Sequence, residues 1–196
     1  MRRALTIAVS FFLLQADARA DRKKTPEQRQ REELREAQRR LDRELKTVAS
    51  SAELDFIRER ARELITRAAA EPANSYKYDR LEDAIDDLLD AGEHLAQLLR
   101  HGDQKDTEGQ IKTARELEAT YFRVTQAEYF AGLSKDRHAG QYVKIARSLY
   151  QSARREYDSG RYWRARRYSD ASSELVKTLE DLAQSQVRIP TPPELR

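Results

Sequence analysis

Apolar side chains return every third or fourth position along nearly the whole chain, the spacing of a helix with one greasy stripe. A first helix over 26–49 carries Leu34, Ala37, Leu41, Leu45 and Val48. A second over 52–71 carries Leu54, Ile57, Ala61, Leu64 and Ala68, and stops at Pro72. A third over 77–100 places Leu81, Ile85, Leu88, Gly92, Leu95 and Leu99 in steps of 4, 3, 4, 3 and 4, a coiled-coil seam. A fourth over 108–133 carries Ile111, Ala114, Leu117, Tyr121, Val124 and Phe130. A fifth over 138–158 uses Tyr142, Ala146, Leu149, Ala153 and Tyr157, and a sixth over 161–186 uses Ala165, Tyr168, Ser172, Leu175, Leu179 and Leu182. The pattern predicts an all-α fold, an elongated bundle of about six helices.

Local signals mark the helix starts. Thr25-Pro26-Glu27-Gln28 supplies an N-cap, a proline where no N–H is needed, and a capping-box partner. Ser50-Ser51-Ala52-Glu53 offers a second box and Thr107-Glu108-Gly109-Gln110 a third. If the second cap is unused, the first two helices run on as one. The stretch 101–109 reads as a loop, and 187–196, with Pro190, Pro192 and Pro193, as an extended tail.

The chain repeats itself. Asp83, Ala84, Leu88, Glu93, Leu95, Ala96 and Gln97 recur as Asp170, Ala171, Leu175, Glu180, Leu182, Ala183 and Gln184. These are seven identities in fifteen positions, where helical composition alone gives about one or two. Upstream, Ala61, Arg62, Leu64, Ala68 and Glu71 recur as Ala146, Arg147, Leu149, Ala153 and Glu156. Residues 52–100 and 138–186 therefore read as duplicated hairpins within a domain spanning 21–186.

Gly160, Tyr162 and Ala165 match the turn and second-helix start of a tetratricopeptide repeat, with Ala153 at its small packing position. Over about 30 residues the second hairpin resembles that family. It departs at Ser169 and Ser172, where an aromatic and an alanine are expected, and at Lys177, where a proline closes the unit. The resemblance implies peptide or protein binding and brings no catalytic residues. Thr25-Pro26-Glu27-Gln28-Arg29, leading into an Arg/Glu-rich helix, is similar to the repeated motif of small Spy-type periplasmic chaperones, with Lys24 where that motif has leucine.

The first 20 residues read as a secretory signal: Arg2 and Arg3, an apolar run from Ala4 to Leu14, and Ala18-Arg19-Ala20 for cleavage. They place the protein in a periplasm or outside the cell. Losing Arg2, Arg3, Arg19 and Asp17 with that segment lowers the formal net charge from +3 to +1, which gives no nucleic-acid footprint. The sequence has no cysteine, which excludes disulfides, thiolate metal sites and cysteine nucleophiles.

Candidate chemistry is sparse. His94 and His101 stand two turns apart, too far to share an ion; Asp90 and His94 are spaced for chelation, but no further ligand joins them. His138 stands alone. No nucleophile elbow, phosphate loop or dinucleotide fingerprint occurs, and no carboxyl is marked by its neighbours as buried. The reading is a non-enzyme without cofactor or metal.

Two charged surfaces remain. Asp79, Glu82, Asp83, Asp86, Asp87 and Asp90 line the polar side of the third helix, where they repel one another and call for a counter-charge. Arg154, Arg155, Arg161, Arg164 and Arg167 gather around the second hairpin's turn with Tyr157 and Trp163, and Trp163 is expected at the surface as a binding anchor. The tyrosines fit a core equally well, with arginines reaching outward. The expectation is a module binding protein or peptide of the cell envelope in the groove between hairpins. The alternative is a chaperone or a binder of anionic envelope surfaces using the Arg/Tyr/Trp patch. Self-association stays open, as does whether the two charged surfaces meet within one chain.

Overall fold

The computed structural model describes residues 24–45, 48–101 and 109–186. The first 20 residues, expected to be a secretory signal, Thr107 of the third expected cap and the proline-bearing tail lie outside the described residues. Six α-helices follow in order: α1 (Pro26–Arg40), α2 (Ala52–Ala69), α3 (Tyr76–His101), α4 (Gln110–Leu133), α5 (Ala139–Asp158) and α6 (Tyr162–Gln184). The described residues contain no strand.

The capping box at Thr25 forms in both directions: Thr25 Oγ1 accepts from the Gln28 N–H at 3.3 Å, and Gln28 Oε1 accepts from the Thr25 N–H at 3.0 Å. The first helix ends earlier than its stripe suggests. After Arg40 the chain widens into a π-helical turn, Leu41–Leu45, which keeps Leu41 and Leu45 buried. Arg58 gathers the exit: its guanidinium donates to the carbonyls of Leu45 and of Val48, the latter at 2.9 Å. Ser51 Oγ then accepts from the Leu54 N–H at 3.2 Å. The cap is Ser51 rather than Ser50, whose hydroxyl turns to Asp55, and α1 and α2 are separate helices. At the other end of α2, the buried Gln30 side chain donates to the carbonyls of Ala68 and Glu71, closing carbonyls the helix leaves open.

Helix α6 is the hub, packing against α3, α4 and α5, while α2 lies on α3 and α1 on both. The duplication is built into this packing. Every apolar residue repeated between the hairpins is buried in both copies: Ala61 and Ala146, Leu64 and Leu149, Ala68 and Ala153, Ala84 and Ala171, Leu88 and Leu175, Leu95 and Leu182. Each such leucine contributes about 2 kcal/mol by leaving water. Both hairpin turns pivot on a left-handed residue, Gly160 at φ 74° and Asn74 at φ 60°. Asparagine tolerates that region better than other side chains, so the first copy keeps the turn without a glycine.

Helices α3 and α6 run antiparallel across a local two-fold, with each α3 residue equivalent to the α6 residue 87 positions later. Arg80 lies over the Tyr76 ring at 5.6 Å, and its equivalent Arg167 over the Trp163 ring at 5.9 Å. Arg80 pairs with Asp83 at 2.6 Å, and Arg167 with Asp170 at 3.7 Å. Arg80 reaches across to Asp181 at 3.0 Å, and Arg167 to His94 at 3.0 Å.

Two departures from the expected core have local causes. On α4, Ile111 (72% exposed) and Tyr121 (50% exposed) face outward, and Thr113 and Thr120 take buried positions instead. The small residues admit a close approach to α6, where Ser169 Oγ donates to Thr120 Oγ1 at 2.8 Å. Ser172 likewise donates to the Ala146 carbonyl at 2.7 Å, which accounts for serines where a tetratricopeptide repeat carries larger or apolar groups. Gly92 marks another close approach, since a Cβ there would stand 2.7 Å from Leu45 Cδ1 and 3.2 Å from Ile57 Cγ2. Gly92→Ala gains about 1 kcal/mol of helix propensity against about 1–3 kcal/mol of overpacking, because Leu45 is itself enclosed. Urea titration should show a net loss of about 1 kcal/mol.

Candidate functional site

The Arg/Tyr/Trp cluster forms where α5 ends and α6 begins. Tyr157 and Tyr162 pack obliquely, ring centres 5.4 Å apart. Most of the cluster's charge is matched inside the molecule. Arg161 and Arg164 both address Glu156, the latter at 3.3 Å. Arg166 reaches Glu116 on α4 at 2.9 Å. Arg167 lies between Trp163, Asp170 and His94. Trp163, expected at the surface, is half-buried against the core, with Arg167 over its ring. Arg154 and Arg155 stay on the exposed side of α5, with Arg155 donating to Ser152 at 3.0 Å.

The acidic stripe is neutralised from another direction. Arg40 of α1 holds Asp86 at 3.2 Å, Asp90 at 2.6 Å and Glu93 at 2.6 Å. Asp83 pairs with Arg80, and Asp79 is exposed. Asp90 and His94, spaced for chelation, thus turn to different arginines. Among the described residues no three His, Asp or Glu side chains converge as a metal set.

Three members of the stripe hold a proton more tightly than usual: Asp86, where burial outweighs the opposing Arg40, and Glu82 and Asp87. Burial, with Glu33 and three aspartates of the same helix nearby, pushes Glu82 up to about 7. Asp87 faces α6 near the local two-fold, where it meets Glu174 and Asp181; burial and Glu174 push it up to about 8, with Lys177 opposing. Asp181 rises to about 6 for the same reasons, burial first and then Asp83. These are carboxyls raised by burial, which nothing in the sequence marked.

A second buried polar group joins the hairpins. Arg60 is fully buried and donates to Asp136 at 2.6 Å and to Tyr142 Oη at 3.4 Å, and it pairs with Glu63. Arg67 adds a bond to Asp136 at 2.9 Å. Burial opposes the Asp136 charge, but the His138 N–H and the two guanidiniums outweigh it and hold the carboxyl below its usual range. His138 packs edge-on to Phe56, ring centres 6.3 Å apart. The cluster clamps α2 to the α4–α5 connection and opens onto no cleft.

No family model, curated protein or solved structure matches this chain. Function must therefore be argued from the surface itself. No helix among the described residues is long and apolar enough to cross a membrane.

One cleft of about 250 Å³ lies between α1 and α3, against Leu34, Ala37, Arg40, Glu82 and Ile85, and three others lie along α5. The first of these three, of about 170 Å³, runs between Ser51 and Glu53 at the start of α2, Leu95, Leu98 and Leu99 at the end of α3, and Ser148, Ser152 and Tyr168. A wider one of about 600 Å³ continues it past Ala52, Gln141, Lys144 and Ile145. A third of about 580 Å³ lies on the other side of α5, against Glu128 and Ala131 of α4. Ser148 borders all three. Lys144, Arg147, Arg154 and Arg155 follow the exposed side of the same helix, Arg147 also reaching Glu128 at 2.8 Å. Gly140, Lys144 and Ser148 recur every fourth residue along the polar face of α5, where no apolar stripe marks them.

Proposed function

We propose that this protein is a non-catalytic, exported helical module that binds an acidic, partly apolar peptide segment of an envelope protein in the groove between its two hairpins. The carrying observation is the run of clefts along α5, apolar at Leu95, Leu98, Leu99, Ile145 and Tyr168, with Lys144 on the α5 side and Glu53 on the α2 side. Concave apolar walls with a few flanking charges suit a segment that inserts apolar anchors and presents carboxylates at its edge. The signal-like first 20 residues support export, and the tetratricopeptide resemblance of the second hairpin supports peptide binding.

The alternative, a chaperone or envelope-surface binder, draws support from Arg154 and Arg155, which the internal ion pairs leave exposed. The groove reading is preferred because Trp163, Arg164 and Arg167 are occupied within the fold.

Ser148→Trp tests it. An indole at the junction fills the clefts on both sides without entering the core, since Ser148 is exposed. Retention of envelope proteins on the immobilised chain should fall at least tenfold for Ser148→Trp and stay unchanged for Ser148→Ala, with circular dichroism and melting temperature preserved in both. Equal retention by all three proteins would reject the groove.

A further inference from the structure

Helix α4 carries apolar residues on two opposite sides. Leu117, Val124 and Ala127 face the bundle and are buried. Ile111 (72%), Phe122 (60%), Tyr129 (66%) and Leu133 (50%) are exposed. At 3.6 residues per turn these four fall within about 40° of one another on the side away from α6. An ordinary surface helix places charge there.

The stripe is symmetric about its middle. Ile111 lies eleven residues before Phe122 and Leu133 eleven after it, and eleven residues bring the helix back to the same face after about three turns. An antiparallel copy of α4 laid on this face with Phe122 against Phe122 therefore sets Ile111 against Leu133 at both ends. The same register sets Arg115 against Tyr129, a cation over a ring, and Glu118 against Gln126, an acceptor against an amide donor. Lys112 falls opposite Gly132, so no like charges meet. A closed two-fold contact requires one patch complementary to itself, and this helix supplies it.

The area is of the right order. A stable pair needs about 800 Å² from each partner. Phe122 and Tyr129, with rings of about 200 Å² each at about two-thirds exposure, supply roughly 500 Å² together with Ile111 and Leu133. Arg115, Glu118 and Gln126 bring the remainder. We propose that the occupant of this face is a second copy of the chain, joined through an antiparallel α4–α4 contact centred on Phe122. The proposal stands apart from the peptide groove, whose Ser148 belongs to a different helix.

The sequence contains no cysteine, so single introduced thiols report the geometry without ambiguity. In the full mature chain, Phe122→Cys should form a disulfide-linked dimer under mild oxidation. Ile111→Cys alone should not, because its two copies lie about 33 Å apart along the paired helices. A mixture of Ile111→Cys and Leu133→Cys chains should give the mixed dimer. Sedimentation should return twice the monomer mass for the unmodified chain and the monomer mass for Phe122→Glu, with melting and Ser148-dependent retention unchanged. A monomer at every concentration up to the millimolar range would overturn the proposal. So would self-crosslinking of Ile111→Cys, which indicates a parallel pair, or Phe122-dependent vesicle binding by a chain that never dimerises.

Discussion

Asp136→Ala should destabilise the protein by about 3–5 kcal/mol, the largest loss expected from any polar substitution, because it strands Arg60 without its counter-ion in the interior. Arg60 is fully buried, and the Asp136 side chain is only 2% exposed. Tyr142 Oη and Glu63 remain as partners of the guanidinium, and Glu63 keeps a longer pair to Arg137 of the α4–α5 connection, at 3.7 Å. The paired change Arg60→Met with Asp136→Ala removes both charges and should recover most of the loss. Chemical denaturation of the two single variants and the double one checks this; singles and double losing stability additively would show that the two charges do not act as a unit. The same carboxyl gives an acid limb to stability. Its pKa is depressed in the folded state, so its contribution is present above the unfolded value near 4 and disappears as pH falls through the folded one.

The raised carboxyls of α3 and α6, Glu82 on the side toward α1 and Asp87 and Asp181 at the α3–α6 contact, act in the opposite sense. Asp87 rises to about 8, Glu82 to about 7 and Asp181 to about 6. Each binds its proton more tightly folded than unfolded. Their stabilising effect is complete below about pH 4 and is lost progressively toward pH 8. His94, held below its usual value by burial and by Arg167, works against this trend as pH drops below the unfolded value near 6.5. Asp87→Asn isolates the central group. The amide keeps the shape and cannot ionise, so the variant should match the unmodified chain below about pH 4 and melt at a higher temperature at pH 8. Identical pH dependence of the two proteins would mean that Asp87 ionises freely against Glu174 and Asp181.

Why these features divide as they do between sequence and structure follows from the range of the forces involved. Helix existence was legible because each stripe is a local pattern; the Thr25 cap and the duplicated hairpins were legible for the same reason, and the start of α2 to within one residue, with Ser51 capping in place of Ser50. The π-helical end of α1 was not, since it depends on Arg58 reaching back from the next helix to Leu45 and Val48. The outward turn of Ile111 and Tyr121 was not, because apolar residues on both sides of α4 leave periodicity without a preferred face, and Ser169 on a distant helix decides which side is inside. Charge was hardest to place. The acidic stripe was visible, but its counter-ion Arg40 sits 46 positions before Asp86. The arginines near Gly160 looked like a partner's docking surface, although Glu156, Glu116 and His94 occupy them. The groove along α5 was foreseen as a place between hairpins, and not as residues, because Lys144 and Ser148 become a site only when α2 and α3 stand beside them.

The most direct test of the binding-module account is photo-crosslinking from a single position. A photoreactive amino acid replacing Ser148 should give discrete adducts in the envelope, with the attachment mapping to a segment that mixes carboxylates and apolar residues. The same group replacing exposed Asp79, away from the clefts, should give none of them. Adducts of equal pattern at both positions, or none at Ser148 while the protein is folded and exported, would contradict a peptide-binding groove.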